Sequence, residues 1–146
     1  MSDEKYDTPD KAEHAFYRAF ENRHLQEMMG VWDVDDENIV CVHPMSEELT
    51  GEGSISESWE RIFTHAPKMK IRFDTRHRTV GRSLVIHIVH ESFYLEGDDD
   101  PHPPVVATNV YRLTGDGWRM ILHHASPTPK SAAAEKKQAG EPKTLH

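Results

Sequence analysis

The chain has 146 residues, which is enough for one domain with a hydrophobic core and too short for a second. Its formal net charge of −8 opposes extended contact with phosphates, so we expect no nucleic-acid partner. No apolar run approaches the roughly 20 residues of a membrane span, and the acidic start of the chain lacks the features of a secretory signal. With a single cysteine, Cys41, these features predict a cytoplasmic protein without a membrane partner.

Two helices are predicted in the first quarter of the chain. Thr8 is a good capping residue and Pro9 fits a first helical turn, so we expect the first helix to begin there. Apolar side chains then recur at helical spacing and predict one buried face: Ala12, Ala15, Phe16, Ala19 and Phe20. A short second helix is predicted before the acidic turn at residues 33–36. Its Trp32 either fills core space or lines a pocket.

A strand, a third helix and a β-meander are predicted to follow. Residues 38–43 form a β-branched run that stops at Pro44, so His43 is expected where this strand ends. The third helix is predicted after Gly51, with Trp59 as its largest apolar residue. Four more strands are predicted at residues 70–79, 83–95, 105–113 and 118–126. Helices followed by an antiparallel meander are typical of the α+β class.

The turn at residues 114–117 predicts which residues face one another in the last hairpin. With Gly115 and Asp116 as a two-residue loop, Leu113 lies opposite Trp118. The face that contains Trp118, here named the inner face, is expected to line a pocket. Counting back in twos gives its remaining pairs: Tyr111 with Met120, Asn109 with Leu122, and Ala107 with His124.

The opposite, outer face of this hairpin combines aliphatic and charged side chains. Its predicted members are Val110, Arg112, Arg119, Ile121 and His123. Neither face is simply polar, which is expected when helices cover one side of a sheet and a second subunit covers the other. We therefore expect a homodimer that pairs through the outer face.

Three polar residues are predicted to converge on the inner face. In one register of the preceding strand, His90 lies beside Asn109, and His124 completes the group. Imidazole titrates near neutral pH, so His124 or His90 is a candidate general base, with Asn109 or Tyr111 donating to developing negative charge. A shift by one residue replaces His90 with Glu91, and the long loop that follows leaves both registers open.

No metal or cofactor is predicted. The pairs His123–His124 and His87–His90 point to opposite faces of a strand, so neither pair chelates a metal from one side. The sequence also lacks a glycine-rich phosphate loop, a nucleophile elbow and paired cysteines. These absences argue against nucleotide-dependent chemistry.

Two polar segments are predicted to lie outside the packed core. Residues 97–104 lack the alternating ligands of a calcium-binding loop and are expected to form a solvated connection. Residues 128–146 are rich in Pro, Lys, Ala and Glu and are expected to be a disordered tail. The folded domain is therefore predicted to span residues 1–127.

Residues 8–127 resemble a known family, the SnoaL-like proteins of the nuclear transport factor 2-like superfamily, which also contains ketosteroid isomerase. The resemblance is carried by Ala15-Phe16, Val42-His43-Pro44, Gly51, Glu57-Ser58-Trp59, Asn109-Val110-Tyr111-Arg112, Gly117-Trp118-Arg119 and His123-His124-Ala125-Ser126. It implies a cystatin-like fold, in which a cone-shaped, curved antiparallel sheet wraps on N-terminal helices around a deep pocket. It also implies dimers that pair through the outer face of the sheet.

The resemblance implies no single activity. The superfamily includes isomerases, cyclases, dehydratases and epoxide hydrolases, and also members that only bind or assemble, such as the association domain of a calmodulin-dependent kinase. The aspartate and tyrosine set of ketosteroid isomerase is not found on the predicted inner face.

Two functions are therefore predicted. One is an isomerase, dehydratase or hydrolase for a small apolar carbonyl-bearing metabolite, and the other is a non-catalytic small-molecule-binding or assembly module. The predicted pocket residues are Trp32, His43, Trp59, Tyr111, Trp118, Met120 and Leu122.

Overall fold

The computed structural model describes residues 5–98 and 102–129. Within these ranges the helices are α1 (Pro9–Asn22), α2 (Leu25–Val31) and α3 (Glu52–His65). The strands are β1 (Val40–Val42), β2 (Leu49–Thr50), β3 (Met69–Val80), β4 (Leu84–Leu95), β5 (Val105–Thr114) and β6 (Gly117–Pro127). The predicted α+β class is confirmed. No helix in the described ranges is both long enough and apolar enough to cross a membrane.

Helix α1 begins where its capping sequence predicts. The Thr8 hydroxyl accepts a hydrogen bond from the Lys11 amide at 3.1 Å, and Pro9 occupies the first turn. The predicted apolar face packs into the core, but two polar residues on this helix, Glu13 and Tyr17, are buried beside it. Because residues four apart lie on the same side of a helix, both side chains reach the same part of the sheet.

The strands form one sheet in the order β2-β1-β6-β5-β4-β3. All neighbouring pairs are antiparallel except β1 and β6, which run parallel, with Val40 opposite Leu122. The sheet is therefore mixed at one edge, where a fully antiparallel sheet was predicted. Strand β2 was not predicted, because two residues are too short to show an alternating pattern.

The last hairpin keeps the predicted register only near its turn. Leu113 faces Trp118 and Tyr111 faces Met120, as predicted. Strand β6 then contains one extra residue, Ile121, so that the next pair joins Val110 to Leu122. Such a β-bulge exchanges the two faces of the strand for every residue that follows it.

The bulge makes two predicted pairs wrong. Asn109 lies opposite His123 and not Leu122, while His124 lies opposite Thr108 and not Ala107. His123 is consequently buried on the inner face, with 2% of its surface exposed. Leu122 is half-buried on the outer face, and His124 is exposed there. The turn chemistry that fixes a register next to a turn carries no information about a bulge four residues beyond it.

The register between β4 and β5 also differs from the one that placed His90 beside Asn109. His87 is the residue opposite Asn109, and His90 lies opposite Val106 on the outer face. The alternating pattern of β4 puts Glu91 on the inner face, where it is 1% exposed. Neither of the two registers considered from the sequence is the observed one, but the face assignment agrees with the alternative in which Glu91, and not His90, lies on the inner face.

The hydrophobic core lies between the inner face and the helices. All three tryptophans belong to it, together with Tyr111 and Met120. At the end of the described chain, the Thr128 hydroxyl donates to the Pro104 carbonyl at 3.0 Å. The predicted disordered tail falls mainly on residues 130–146, which lie outside the described residues.

Candidate functional site

A buried carboxylate, Glu13, is the centre of a polar network between α1 and the sheet. The Thr75 hydroxyl donates to its Oε1 at 2.5 Å. Its Oε2 accepts from Tyr111 Oη at 2.8 Å, His87 Nδ1 at 2.9 Å and Asn109 Nδ2 at 3.2 Å. Burial alone would raise the pKa of Glu13, but the hydrogen bonds and the charge interaction with His87 outweigh it, so the pKa lies below 4.5. Glu13 is therefore an anion at neutral pH.

A second buried carboxylate, Glu91, lies at the other end of this network. Tyr17 Oη donates to Glu91 Oε2 at 2.5 Å and accepts from Asn109 Nδ2 at 3.1 Å. Burial raises the pKa of Glu91 to about 7, and the negative charge of Glu13 acts in the same direction. The two carboxylates thus have pKa values pushed apart: one stays ionised, and the other changes its protonation state near neutral pH.

The hydrogen bonds also fix which nitrogen of His123 carries the proton. Asn109 uses its amide nitrogen toward Glu13 and Tyr17, so its carbonyl oxygen faces His123 Nδ1, at 2.6 Å. His123 therefore donates from Nδ1, and Nε2 is left with its lone pair. Burial lowers the pKa of His123 to about 3, so the ring is neutral at pH 7.

The ring proton of His43 is on the other nitrogen, Nε2, again because of the hydrogen bonds. Its Nε2 lies 3.0 Å from Ser58 Oγ, and this hydroxyl donates its only proton to the Ile55 carbonyl at 2.7 Å. The Ser58 oxygen therefore accepts from Nε2–H, with the Cys41 sulfur, a weaker acceptor, 3.7 Å from the same nitrogen, and Nδ1 of His43 is left with its lone pair. Burial, with the positive charge of Arg61, lowers the pKa of His43 to about 4. This ring is also neutral at pH 7.

These three residues, Glu91, His43 and His123, line a pocket of about 550 Å³. Most of the remaining wall is apolar, including Phe20, Ile62, Met69, Phe93, Leu95 and Val105. A few polar groups that converge in an apolar concavity are the usual arrangement of a small-molecule site, because they orient a ligand whose other surface is desolvated.

Each of the three polar residues has one atom without a hydrogen-bond partner. The atoms are Glu91 Oε1, His123 Nε2 and His43 Nδ1. Among the described side chains, only the indole nitrogens of Trp32 and Trp59 are both unpaired and fully enclosed. All three residues line the pocket, so these atoms are the candidate hydrogen-bonding groups for a ligand bound there.

The structure brings only part of the predicted site together. His43 lines the pocket, while Asn109 and Tyr111 lie behind it in the network around Glu13. Trp59 packs edge-on against His43, with 4.9 Å between ring centroids. The other predicted inner-face residues, Trp118 and Met120, are buried in the core.

Four predicted site residues lie elsewhere. His124, His90 and Leu122 are on the outer face, because of the bulge at Ile121 and the register of β4. Trp32 lines a separate cleft of about 950 Å³ between α2 and the turn that joins β5 to β6. The predicted catalytic histidines are thus not in the pocket, and His123 is the histidine of β6 that lines it.

Sequence reasoning missed two members of the network on α1. Glu13 and Tyr17 are four residues apart and directly border the apolar stripe, so their side chains lie on one side of the helix. That spacing is the signal that could have identified them. It is weak by itself, because a glutamate beside an apolar stripe is usually solvated.

The chain was compared with known proteins and solved structures. A family model described as SnoaL-like domain matches residues 11–130. A Thiobacillus denitrificans structure, described as a candidate calcium/calmodulin-dependent protein kinase type II association domain, is 40% identical, with a TM-score of 0.83. The match covers 86% of this chain and 98% of that one. A Streptomyces avermitilis structure, described as a candidate dehydratase of the NTF2-like family, is 29% identical, with a TM-score of 0.71 and coverages of 83% and 99%.

One curated protein is also similar, the F-box protein SKIP8 of Arabidopsis thaliana, with 26% identity over 113 residues. The match covers 76% of this chain but only 46% of that protein, so the chain spans about half the length of this relative. Structures of lower identity share the cystatin-like fold. Because the family model covers most of the chain, the protein belongs to the SnoaL-like domain family of the NTF2-like superfamily.

Proposed function

We propose that the protein is an enzyme in which Glu91 exchanges a proton with a small, largely apolar ligand bound in the 550 Å³ pocket. One observation carries this proposal: Glu91 lines the pocket with only Oε2 hydrogen-bonded among the described residues, and its burial there raises the pKa of the carboxyl group to about 7. A general base or acid works best when its pKa is near the working pH, because the required protonation state and the driving force for transfer are then both available.

The network supports this role by fixing the geometry of Glu91. Tyr17 holds Oε2, so Oε1 is the oxygen left for a ligand. The ionised carboxylate would take a proton from a carbon beside a carbonyl group, or from a water molecule that adds to the ligand. Isomerisation, dehydration and hydrolysis of a carbonyl-bearing metabolite all contain such a step. The similarity to the Streptomyces avermitilis protein, described as a candidate dehydratase, is consistent with it.

Deuterium exchange tests the proposal without knowledge of the natural substrate. Small cyclic and aromatic ketones, with and without a hydroxyl group, are incubated with the protein in D₂O, and deuterium uptake beside the carbonyl is followed by proton NMR. We expect uptake that rises with pH and is half-maximal near pH 7. Glu91→Gln is expected to reduce the catalysed rate by about 100-fold or more.

The control for this experiment is Glu96→Gln, which changes an exposed glutamate just after β4 and is expected to leave exchange unchanged. The proposal is wrong if ketones bind in the pocket but exchange at the same rate with wild-type protein and Glu91→Gln. It is also wrong if no ketone of the panel binds.

We propose homodimeric assembly as a second function, because the Thiobacillus denitrificans protein described as a candidate association domain is 40% identical to this chain. Aliphatic residues that are only half-buried in the single chain continue across β4, β5 and β6 of the outer face: Ile86, Ile88, Val106, Val110 and Leu122. A second copy packed against this surface would remove it from water.

Analytical ultracentrifugation tests the assembly. We expect the wild-type protein to sediment as a dimer and Val110→Asp, at the centre of the outer face, to sediment as a monomer, since an unpaired charge is costly in a buried interface. Glu91→Gln, on the inner face, is expected to remain a dimer. A wild-type protein that stays monomeric at about 100 µM, where even weak complexes form, argues against this function.

A further inference from the structure

The two histidines in the pocket wall offer hydrogen-bond acceptors to a ligand and no donors. His123 Nδ1–H is committed to Asn109, and His43 Nε2–H is committed to Ser58, so neither ring has a proton left for a ligand. What each ring offers to the pocket is a lone pair, on Nε2 of His123 and on Nδ1 of His43. Ionised Glu91 adds another acceptor at Oε1.

The other side chains of the wall provide few hydrogen-bond donors that could pair with these acceptors. Among the residues that the structure describes, these side chains are apolar, apart from His102, which is exposed. An apolar ligand without a donor would cover the two lone pairs and leave them unsatisfied, which weakens its binding. An anionic ligand would meet acceptors and the permanent charge of Glu13 behind them.

His123 is the better placed of the two acceptors. Its ring is held by the 2.6 Å bond to Asn109 and packs against Phe16 and Trp59, at 4.9 Å and 6.2 Å between centroids. A fixed ring points its lone pair in one direction, so it discriminates by hydrogen-bond geometry as well as by polarity. His43 packs edge-on against Trp59, at 4.9 Å between centroids, and lines the same pocket.

We propose that the ligand of this pocket is a neutral, mostly apolar molecule that carries a hydroxyl group, which donates its hydrogen bond to Nε2 of His123. The inference rests on the proposed function of the same pocket and adds a requirement to it. The hydroxyl sets binding specificity, and the proton exchange is assigned to Glu91. At pH 8, where Glu91 is ionised and binding is to be measured, the same argument excludes carboxylate and phosphate ligands.

A matched set of three compounds tests this inference by isothermal titration calorimetry. The probes are 2-naphthol, its methyl ether 2-methoxynaphthalene, and 2-naphthoate. We expect 2-naphthol to bind wild-type protein at least about 10-fold more tightly than the ether, since the ether leaves the imidazole lone pair unsatisfied. We expect no measurable binding of 2-naphthoate.

His123→Asn is the variant that isolates the lone pair. The asparagine amide still provides a donor near Asn109 but has no acceptor at the position of Nε2, so the preference for 2-naphthol is expected to disappear while the ether binds as before. Circular dichroism establishes that the variant is folded. If it is not folded, His43→Gln, which keeps a donor toward Ser58, is expected to retain the preference, because the hydroxyl is assigned to His123.

Three outcomes would overturn the inference: equal affinity of wild-type protein for 2-naphthol and its ether, a preference that persists in folded His123→Asn, or a preference abolished by His43→Gln. Absence of binding by all three probes would overturn it as well. These outcomes are distinguishable from failure of the proposed function, which is read separately from the Glu91-dependent deuterium exchange of ketones.

Discussion

Glu91→Gln is expected to raise the free energy of unfolding at pH 8 by on the order of 3 kcal/mol and to change it little at pH 4. The folded pKa of about 7 lies above the ordinary value of 4.5, so the unfolded chain releases this proton at lower pH than the folded chain. Stability is therefore lost as pH rises from about 4.5 through 7. Glutamine cannot ionise and avoids this loss.

Urea-induced unfolding, followed by tryptophan fluorescence at both pH values, measures the effect. Tyr17 still finds an acceptor in the glutamine carbonyl, so the hydrogen bond to residue 91 is retained. Glu96→Gln serves as the control, because its exposed side chain should give the same small change at pH 4 and pH 8. A Glu91→Gln protein that is no more stable than wild type at pH 8 would contradict the raised pKa.

If Glu91→Gln stabilises the protein, the ionisable side chain of Glu91 lowers the stability of the fold at neutral pH, which favours a functional role for it. A buried carboxylate that lowers stability at neutral pH is costly in a purely structural position, where an amide or apolar residue would fold better. Side chains that lower the stability of the folded protein are typical of active sites, because the strained or desolvated group performs the chemistry there. The expected gain in stability and loss of proton exchange in Glu91→Gln are thus two results of the same burial.

Local signals in the sequence were sufficient to predict the helices and the long strands. Thr8 and Pro9 define the start of α1, and Pro67 follows the end of α3, because caps and prolines act on their immediate neighbours. The hairpin turn correctly paired Leu113 with Trp118 for the same reason. These elements depend on interactions within a few residues.

The residues that line the candidate site are determined by contacts between positions far apart in the sequence, which local sequence patterns do not reveal. The bulge at Ile121 decides that His123 lines the pocket and His124 does not. The register of β4 decides between His90 and Glu91. Each of these is set by packing against α1 and the neighbouring strands, over separations of tens of residues. Glu13 was missed because a charged helical residue is normally exposed, and only its four donors make it stable in the core.

Glu13→Leu is expected to destabilise the protein by about 3–5 kcal/mol at pH 7, a large fraction of the roughly 5–15 kcal/mol free energy of unfolding of an ordinary domain. Thr75, His87 and Tyr111 would lose their acceptor, and the Asn109 amide would keep only its bond to Tyr17. Glu13→Gln is the milder change, because its carbonyl oxygen still accepts while its amide group faces donors that it cannot satisfy. We expect it to cost roughly half as much.

Measuring the effect of Glu13→Gln on stability at two pH values separates the contribution of the Glu13 charge from that of the side-chain shape. Its folded pKa lies below 4.5, so the stabilisation is present above that value and is lost as pH falls through the lowered pKa. Urea-induced unfolding at pH 7 and pH 3 should therefore show a smaller difference between wild type and Glu13→Gln in acid. The exposed Glu60→Gln is the control and should change little at either pH. Equal stability of Glu13→Gln and wild type at pH 7 would contradict the role of the network. The same substitution, glutamate to glutamine, is thus expected to destabilise at Glu13 and to stabilise at Glu91, because four donors surround the first carboxylate and the second is left with Tyr17 and an unpaired oxygen.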